Sequence, residues 1–239
     1  MARRSTTKKV KKTKIRDAAT MVSWSAENCT LFNHETAPFH AVVDHQDPKL
    51  VVITGENASG KSLFFQFVAA MVRKEEGAVA LTISIRERIS ATNGMRRVFM
   101  FGDETEQSTG ATSVSTLANA FGNNLDHDNG SMLMLDEPEL GLSDGYARAM
   151  GEYIGRSTHD IPAVCGGVIV ITHSRSLVRG LLAGYGATPT HVSISADAPQ
   201  PAGIQQWLDA SEERTVEDLL ALREVGLDRW RQVLKILKR

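Results

Sequence analysis

One segment constrains the fold more than any other: Gly55-Glu56-Asn57-Ala58-Ser59-Gly60-Lys61-Ser62. It matches the pattern G-x-x-x-x-G-K-[ST]. Its glycines permit backbone conformations that a side chain would forbid, so the main chain can wrap a phosphate closely. The N–H groups of such a loop, and the N-terminus of the helix behind it, face the anion. In this pattern Lys61 reaches the outer phosphates and the Ser62 hydroxyl takes Mg2+. A chance match in a chain of this length is about a one-in-a-hundred event at average residue usage. Context sharpens the match: an apolar run at 50–54 precedes the segment and an amphipathic stretch at 61–74 follows it. Strand, phosphate-binding loop and helix in that order predict an α/β chain.

The rest of the pattern agrees. Short β-branched and aliphatic runs predict strands at 41–44, 50–54, 79–85, 97–101, 132–136, 167–172 and 191–195. Helical periodicity predicts helices at 61–74, 113–121, 143–156, 174–182, 215–225 and 228–237. The runs LVVIT, MLMLD and GVIVIT are apolar almost throughout. Strands covered on both faces read that way, which predicts a mostly parallel sheet flanked by helices. The segment ADAPQP, 196–201, sets off a C-terminal helical extension, 196–239, expected to pack on the domain. In its last helix Trp230, Val233, Leu234 and Leu237 share one face, and Arg229, Arg231, Lys235 and Lys238 crowd the other.

Composition narrows the class. With 239 residues the chain is long enough to bury a core without staples. Two cysteines, Cys29 and Cys165, exclude a disulfide framework and fit a reducing, cytoplasmic setting. No run approaches the ~18 apolar residues of a membrane helix. No apolar core follows the basic N-terminus, so no secretory leader is expected. The net charge of −1 hides an asymmetry. Residues 1–16 hold eight bases and no acid; removing them leaves 19 bases against 28 acids, a net of −9. The first 20 residues therefore read as a basic, disordered tail before a domain at 21–195. Such an arm suits nucleic-acid phosphates, or serves only as a solubilising segment.

Two further strand ends carry chemistry. The run 131–135 ends in Asp136-Glu137. A phosphate loop needs a carboxylate there for the Mg2+ shell, the place of Asp136. Glu137 is then placed to orient or deprotonate water beside the terminal phosphate. The run 167–172 ends in His173, a candidate contact for that phosphate and for the attacking water. The other six histidines lack a convincing ligand spacing, and no zinc is assigned.

The order of these motifs resembles the ABC-type ATPases, a branch of the P-loop NTPases. Between the phosphate loop and Asp136-Glu137-Pro138-Glu139 lies Gln107-Ser108-Thr109-Gly110-Ala111. It is similar to the family's S-G-G-Q signature, with Thr109 in place of the first glycine and Ala111 in place of the glutamine. The resemblance implies that Ser108 and Gly110 act in trans on ATP held by a second subunit, in a head-to-tail homodimer around two ATP molecules. It places Gln107, on the metal side, as the glutamine-loop candidate. It asks for an aromatic before the phosphate loop to stack on adenine, for which Phe32 is the first candidate and Trp24 the second. It makes Lys61, Glu137 and His173 the catalytic set, and ATP with Mg2+ the cofactors. The D-E-P-E-x-x-L form looks like the soluble RecF, SMC and overcoming-lysogenization-defect groups. The resemblance thus implies an ATPase serving a DNA-associated process through the basic arm. The alternative is an ATP-driven switch on a separate effector protein. A transporter subunit ranks third, because the span 62–108 leaves little room for a coupling subdomain.

Overall fold

Both faces of the central strands are covered, which is why their sequences are apolar at nearly every position. The computed structural model describes residues 15–34, 36–75, 77–84, 109–123, 125–196, 203–210 and 213–238. Its sheet contains β1 (His40–Asp44), β2 (Asp47–Gly55), β3 (Val79–Ser84), β4 (Ser131–Asp136), β5 (Cys165–Ile171) and β6 (Pro189–Ser195). The strand order is β1-β6-β2-β5-β4-β3. Every pairing is parallel except β1 with β6. The α/β sheet expected from the sequence is therefore present. The strand expected at 97–101 lies outside the described residues.

Alternate residues of each strand feed two separate cores. Val51, Ile53, Met132, Met134, Ile169 and Ile171 face one layer. That layer is built by α1 (Ala18–Asn28) and α2 (Lys61–Lys74), with Phe64, Val68 and Val72 buried in it. Leu50, Val52, Leu133, Leu135, Val168 and Val170 face the other. There they meet α3 (Thr109–Asn123), α4 (Asp144–Thr158), α5 (Arg175–Tyr185) and α6 (Ile204–Asp209). Helices α4 and α5 approach closely because glycines face the partner backbone. A Cβ on Gly151 would stand 2.1 Å from the Leu177 carbonyl oxygen, and one on Gly180 would stand 2.0 Å from that of Arg148.

Both ends of the chain differ from expectation. The domain begins before residue 20: Ile15 is buried, and Asp17 caps α1 by accepting from the Thr20 N–H at 2.8 Å. Arg16 leaves the basic arm and pairs with Glu75 at 2.8 Å. At the C-terminus one helix, α7 (Val216–Leu237), replaces the two expected at 215–225 and 228–237. It opens with a capping box between Thr215 and Asp218. Helix propagation runs through Gly226 because a single glycine weakens a helix without breaking it. Only part of α7 packs as expected. Val233 is 1 % exposed, whereas Leu219, Leu220 and Val216 in its first half are exposed. Of the face expected to pack, Trp230 and Leu237 are exposed as well.

Candidate functional site

The strand order itself assembles the site. Strands β2, β5 and β4 are neighbours and parallel, so their carboxyl ends lie side by side. In open parallel sheets ligands sit at that edge. The loop 55–62 leaves β2, Asp136 ends β4, and His173 follows β5. Two backbone bonds hold the three exits in step. The Glu137 N–H donates to the Ile171 carbonyl at 2.9 Å, and the Thr172 N–H donates to the Ile53 carbonyl at 3.2 Å.

A cavity of about 670 Å3 opens there. Its walls include Asn57, Ala58, Ser59, Gly60, Lys61, Ser62, Asp136, Glu137 and His173. This volume lies within the range of small-molecule sites. Gly55 ends β2, and Glu56 pairs with Arg214 at 3.6 Å beside the loop. Gly60 caps α2 with a φ of +97°. A Cβ there would stand 2.8 Å from the Phe39 ring, so both the turn and the packing require glycine.

Lys61 is 5 % exposed, and its Nζ donates to the carbonyls of Gly55 at 2.9 Å and Glu56 at 2.7 Å. Burial lowers its pKa to about 8, against the opposing pull of Glu137, Glu56 and Asp136. Ser59 is buried, and its Oγ has no hydrogen-bond partner among the described residues. An orphaned hydroxyl beside a buried lysine in a turn of this kind fits an anion.

The acidic side is equally organised. Glu137 adopts a φ of +51°, a left-handed conformation costly for a side chain with a Cβ. Its Oε1 stands 3.0 Å from His173 Nε2. Thr172, for which the sequence suggested no role, orders the turn around that histidine. The Thr172 Oγ1 accepts from the Ser174 N–H at 2.8 Å and donates to Glu139. Ser174 in turn caps α5 by accepting from the Leu177 N–H at 3.1 Å. Glu139 Oε2 is buried with no partner among the described residues, and burial pushes the carboxyl's pKa up.

Ser62 and Asp136 line both the main cavity and an adjoining one of about 170 Å3 with Thr82 and Ser84. A hydroxyl and a carboxylate, with phosphate and water completing the shell, are the donors Mg2+ takes. No group of three or more His, Cys, Asp and Glu residues forms a ready metal cage among the described residues.

Several expected site residues stand elsewhere. Phe32 is 4 % exposed and packs against Phe39 and Phe64, with ring centroids 5.5 and 5.0 Å away. Buried among those rings, it belongs to the core and not to the cavity, so it does not serve as the base-stacking residue. Trp24 lies on α1 under the Arg16 guanidinium and does not line the cavity either. Gln107 and Ser108 lie outside the described residues. The backbone of Gly110 is in the first turn of α3.

The far wall of the cavity was not anticipated. It is made by Gly226, Arg229, Trp230 and Val233 of α7. Arg229 Nη1 donates to the Ala58 carbonyl at 2.9 Å, tying the helix to the loop. The sequence showed Arg229, Trp230 and Val233 only as parts of an amphipathic helix and left Gly226 between two expected helices, with nothing to place any of them beside the loop. No protein-family model, curated protein or solved structure matches this chain.

Proposed function

We propose that the chain binds Mg·ATP on the loop 55–62 and hydrolyses it as an ABC-type ATPase. The observation that carries this reading is the convergence of Lys61, Asp136, Glu137 and His173 on one cavity at the ends of three adjacent parallel strands. Loop N–H groups and Lys61 would hold the phosphates, and Ser62 and Asp136 would hold the metal. Bound there, Mg2+ would offset the charge of the transferring phosphoryl group. Glu137 would take the proton of the attacking water. His173, 3.0 Å away, would orient the Glu137 carboxylate and meet the terminal phosphate. Catalysis would consist mainly of positioning and electrostatic stabilisation. The trans clamp of Ser108 and Gly110, and with it an ATP-dependent homodimer, remains part of the proposal through the resemblance alone.

The test is steady-state ATP hydrolysis with Lys61→Ala as the blank, titrated with double-stranded DNA. Phosphate release that Lys61→Ala abolishes supports the ATPase. Release that survives Lys61→Ala overturns it. Stimulation by DNA that fades with salt, and is lost on deletion of residues 1–14, favours the DNA-associated role. That segment retains seven bases, Arg3, Arg4, Lys8, Lys9, Lys11, Lys12 and Lys14. The deletion stops short of Ile15 and Arg16, which belong to the packed domain. Hydrolysis indifferent to DNA favours the switch on an effector protein.

A further inference from the structure

We infer that the C-terminal helix α7 supplies the base-binding wall of the nucleotide site, with Trp230 stacking on the nucleobase and Gly226 leaving room for it. This rests on the nucleotide reading above and adds the part of the ligand that the phosphate loop does not touch.

The cavity has two chemically different ends. One end, Asn57 to Ser62 with Asp136, Glu137 and His173, is polar and charged and suits phosphates and a metal. Beside the Arg229 guanidinium, the α7 wall offers the Trp230 indole, bare helix backbone at Gly226 and the aliphatic Val233. Gly226, Trp230 and Val233 fall at i, i+4 and i+7, so they form one stripe of the helix. Val233 roots this stripe in the core. Arg229 pins it to the loop through the Ala58 carbonyl. The stripe is therefore held at a fixed place beside the phosphates.

Trp230 is 51 % exposed although it sits between two anchored residues. A large indole left half open on a pinned helix, facing a cavity, has an unused stacking face. Gly226 completes the argument. It interrupts a 22-residue helix with one of the weakest helix formers. A Cβ added there would meet nothing within 4 Å among the described residues, so no packing seen there requires the glycine. One turn from the indole, its bare backbone keeps the cavity wide enough for a flat ring. Of the aromatic rings nearer the loop, Phe32 is closed into the core, and Phe39, which also lines the cavity, is only 4 % exposed and packed on Phe32, so it offers far less open ring than Trp230. Aromatic side chains stack on any nucleobase, and stacking is the recognition that such a wall provides.

The experiment separates base from phosphate. Equilibrium binding of ATP and of inorganic tripolyphosphate, both with Mg2+, is measured on the full chain and on Lys61→Ala, Trp230→Ala, Trp230→Phe and Gly226→Leu. Trp230→Ala is expected to weaken ATP by about tenfold to a hundredfold and to leave tripolyphosphate within about twofold. Trp230→Phe restores most of the ATP affinity. Gly226→Leu blocks ATP and spares tripolyphosphate, and that retained binding shows the variant is folded. In a second measurement Trp24→Phe and Trp207→Phe leave Trp230 as the sole indole. ATP then quenches its fluorescence, and tripolyphosphate does not. Unchanged ATP affinity in Trp230→Ala, or equal loss for both ligands, overturns the inference while Lys61-dependent binding keeps the nucleotide reading. Absence of Lys61-dependent binding in the unmodified chain overturns both.

Discussion

His173 Nε2 lies 3.0 Å from Glu137 Oε1, although the two residues belong to different strand exits and Glu137 holds a left-handed backbone to reach that position. A conformation that costs of order 1–3 kcal/mol persists where the surroundings over-determine it, and such positions cluster at functional sites. If Glu137 is the base, Glu137→Gln lowers ATP turnover by about 10²- to 10⁴-fold and leaves ATP binding within a few fold. The ATP-bound species then accumulates, and the resemblance implies that it is a dimer, measurable by light scattering. His173→Ala acts through the same water, so the double variant loses far less than the product of the two single losses. Single-turnover hydrolysis reads all three variants. Independent, multiplicative losses would separate the two residues functionally.

Lys61 sets the pH dependence of binding. Its pKa is lowered to about 8 by burial, so it is half charged near that pH in the nucleotide-free site. Polyphosphate bound as proposed would select the charged form and pull the pKa back up. Above pH 8 binding therefore takes up a proton, and ATP affinity falls with rising pH by at most about tenfold per unit. The sign reverses for the stability of the unliganded fold. Between about 8 and the ordinary lysine value of 10.5 the unfolded chain binds more protons, so stability rises with pH across that window. Calorimetric titration in two buffers of different ionisation enthalpy measures the proton uptake. Equal binding at pH 7 and pH 9.5 would contradict it.

Glu139 predicts a stability change. Its carboxyl pKa is raised by burial, while a hydrogen bond from Thr172 partly offsets the shift. A raised carboxyl favours the folded state below the ordinary carboxylate range, and this advantage is lost as pH rises through the folded value. The fold also holds a buried oxygen of this carboxyl, Oε2, without a partner among the described residues, so ionisation there is opposed. Glu139→Gln keeps an acceptor for Thr172 and removes the charge. A gain in stability is expected at pH 7.5, shrinking to nothing below the ordinary carboxylate range, at about pH 3.5. Urea denaturation at the two pH values measures it. A loss of stability at pH 7.5 would mean that the carboxylate itself is held favourably.

Local signals were legible, and distant ones were not. The bounds of α2, Lys61–Lys74, match the expected range because the loop glycine starts the helix and the apolar period sustains it. Strands β2, β4 and β5 could be read because both their faces are buried. Helix α1 was hidden by its neighbours: Ile15 and Arg16 continue the basic block in sequence but belong to the domain in space. Gly226 looked like a boundary, yet tertiary anchors at Arg229 and Val233 fix the helix around it. Phe32 had the right residue type and place in the sequence, but burial against Phe39 and Phe64 is a long-range fact. Trp230 could not be assigned to the cavity for the same reason, since nothing in local periodicity says which surface a terminal helix covers.

The attachment of α7 to the loop gives the last prediction. The Arg229 guanidinium reaches the Ala58 carbonyl at 2.9 Å, and Ala58 itself holds a left-handed φ of +58°. Hydrogen bonds from charged donors are worth about 1.5–3 kcal/mol, and this one joins the loop to α7, to which Glu56 and Arg214 add a longer contact at 3.6 Å. Val233 is the helix's other anchor, buried in the core one turn later. The first half of α7 is largely exposed, so its attachment rests on polar contacts at its ends, Arg229 with Ala58 and Arg214 with Glu56 among them. Arg229→Ala should therefore loosen the helix locally without unfolding the sheet. Hydrogen exchange would show faster labelling across 216–232 by about tenfold to a hundredfold, with β2, β4 and β5 unchanged. Arg229→Lys keeps the charge but loses the planar fork, so it recovers only part of the protection. Val233→Asp places a charge in the core at the second anchor and should release the whole helix. If Arg229→Ala leaves exchange across α7 unchanged, the helix is held by Val233 and the Arg214 contact instead, and the bond to Ala58 serves only to shape the loop.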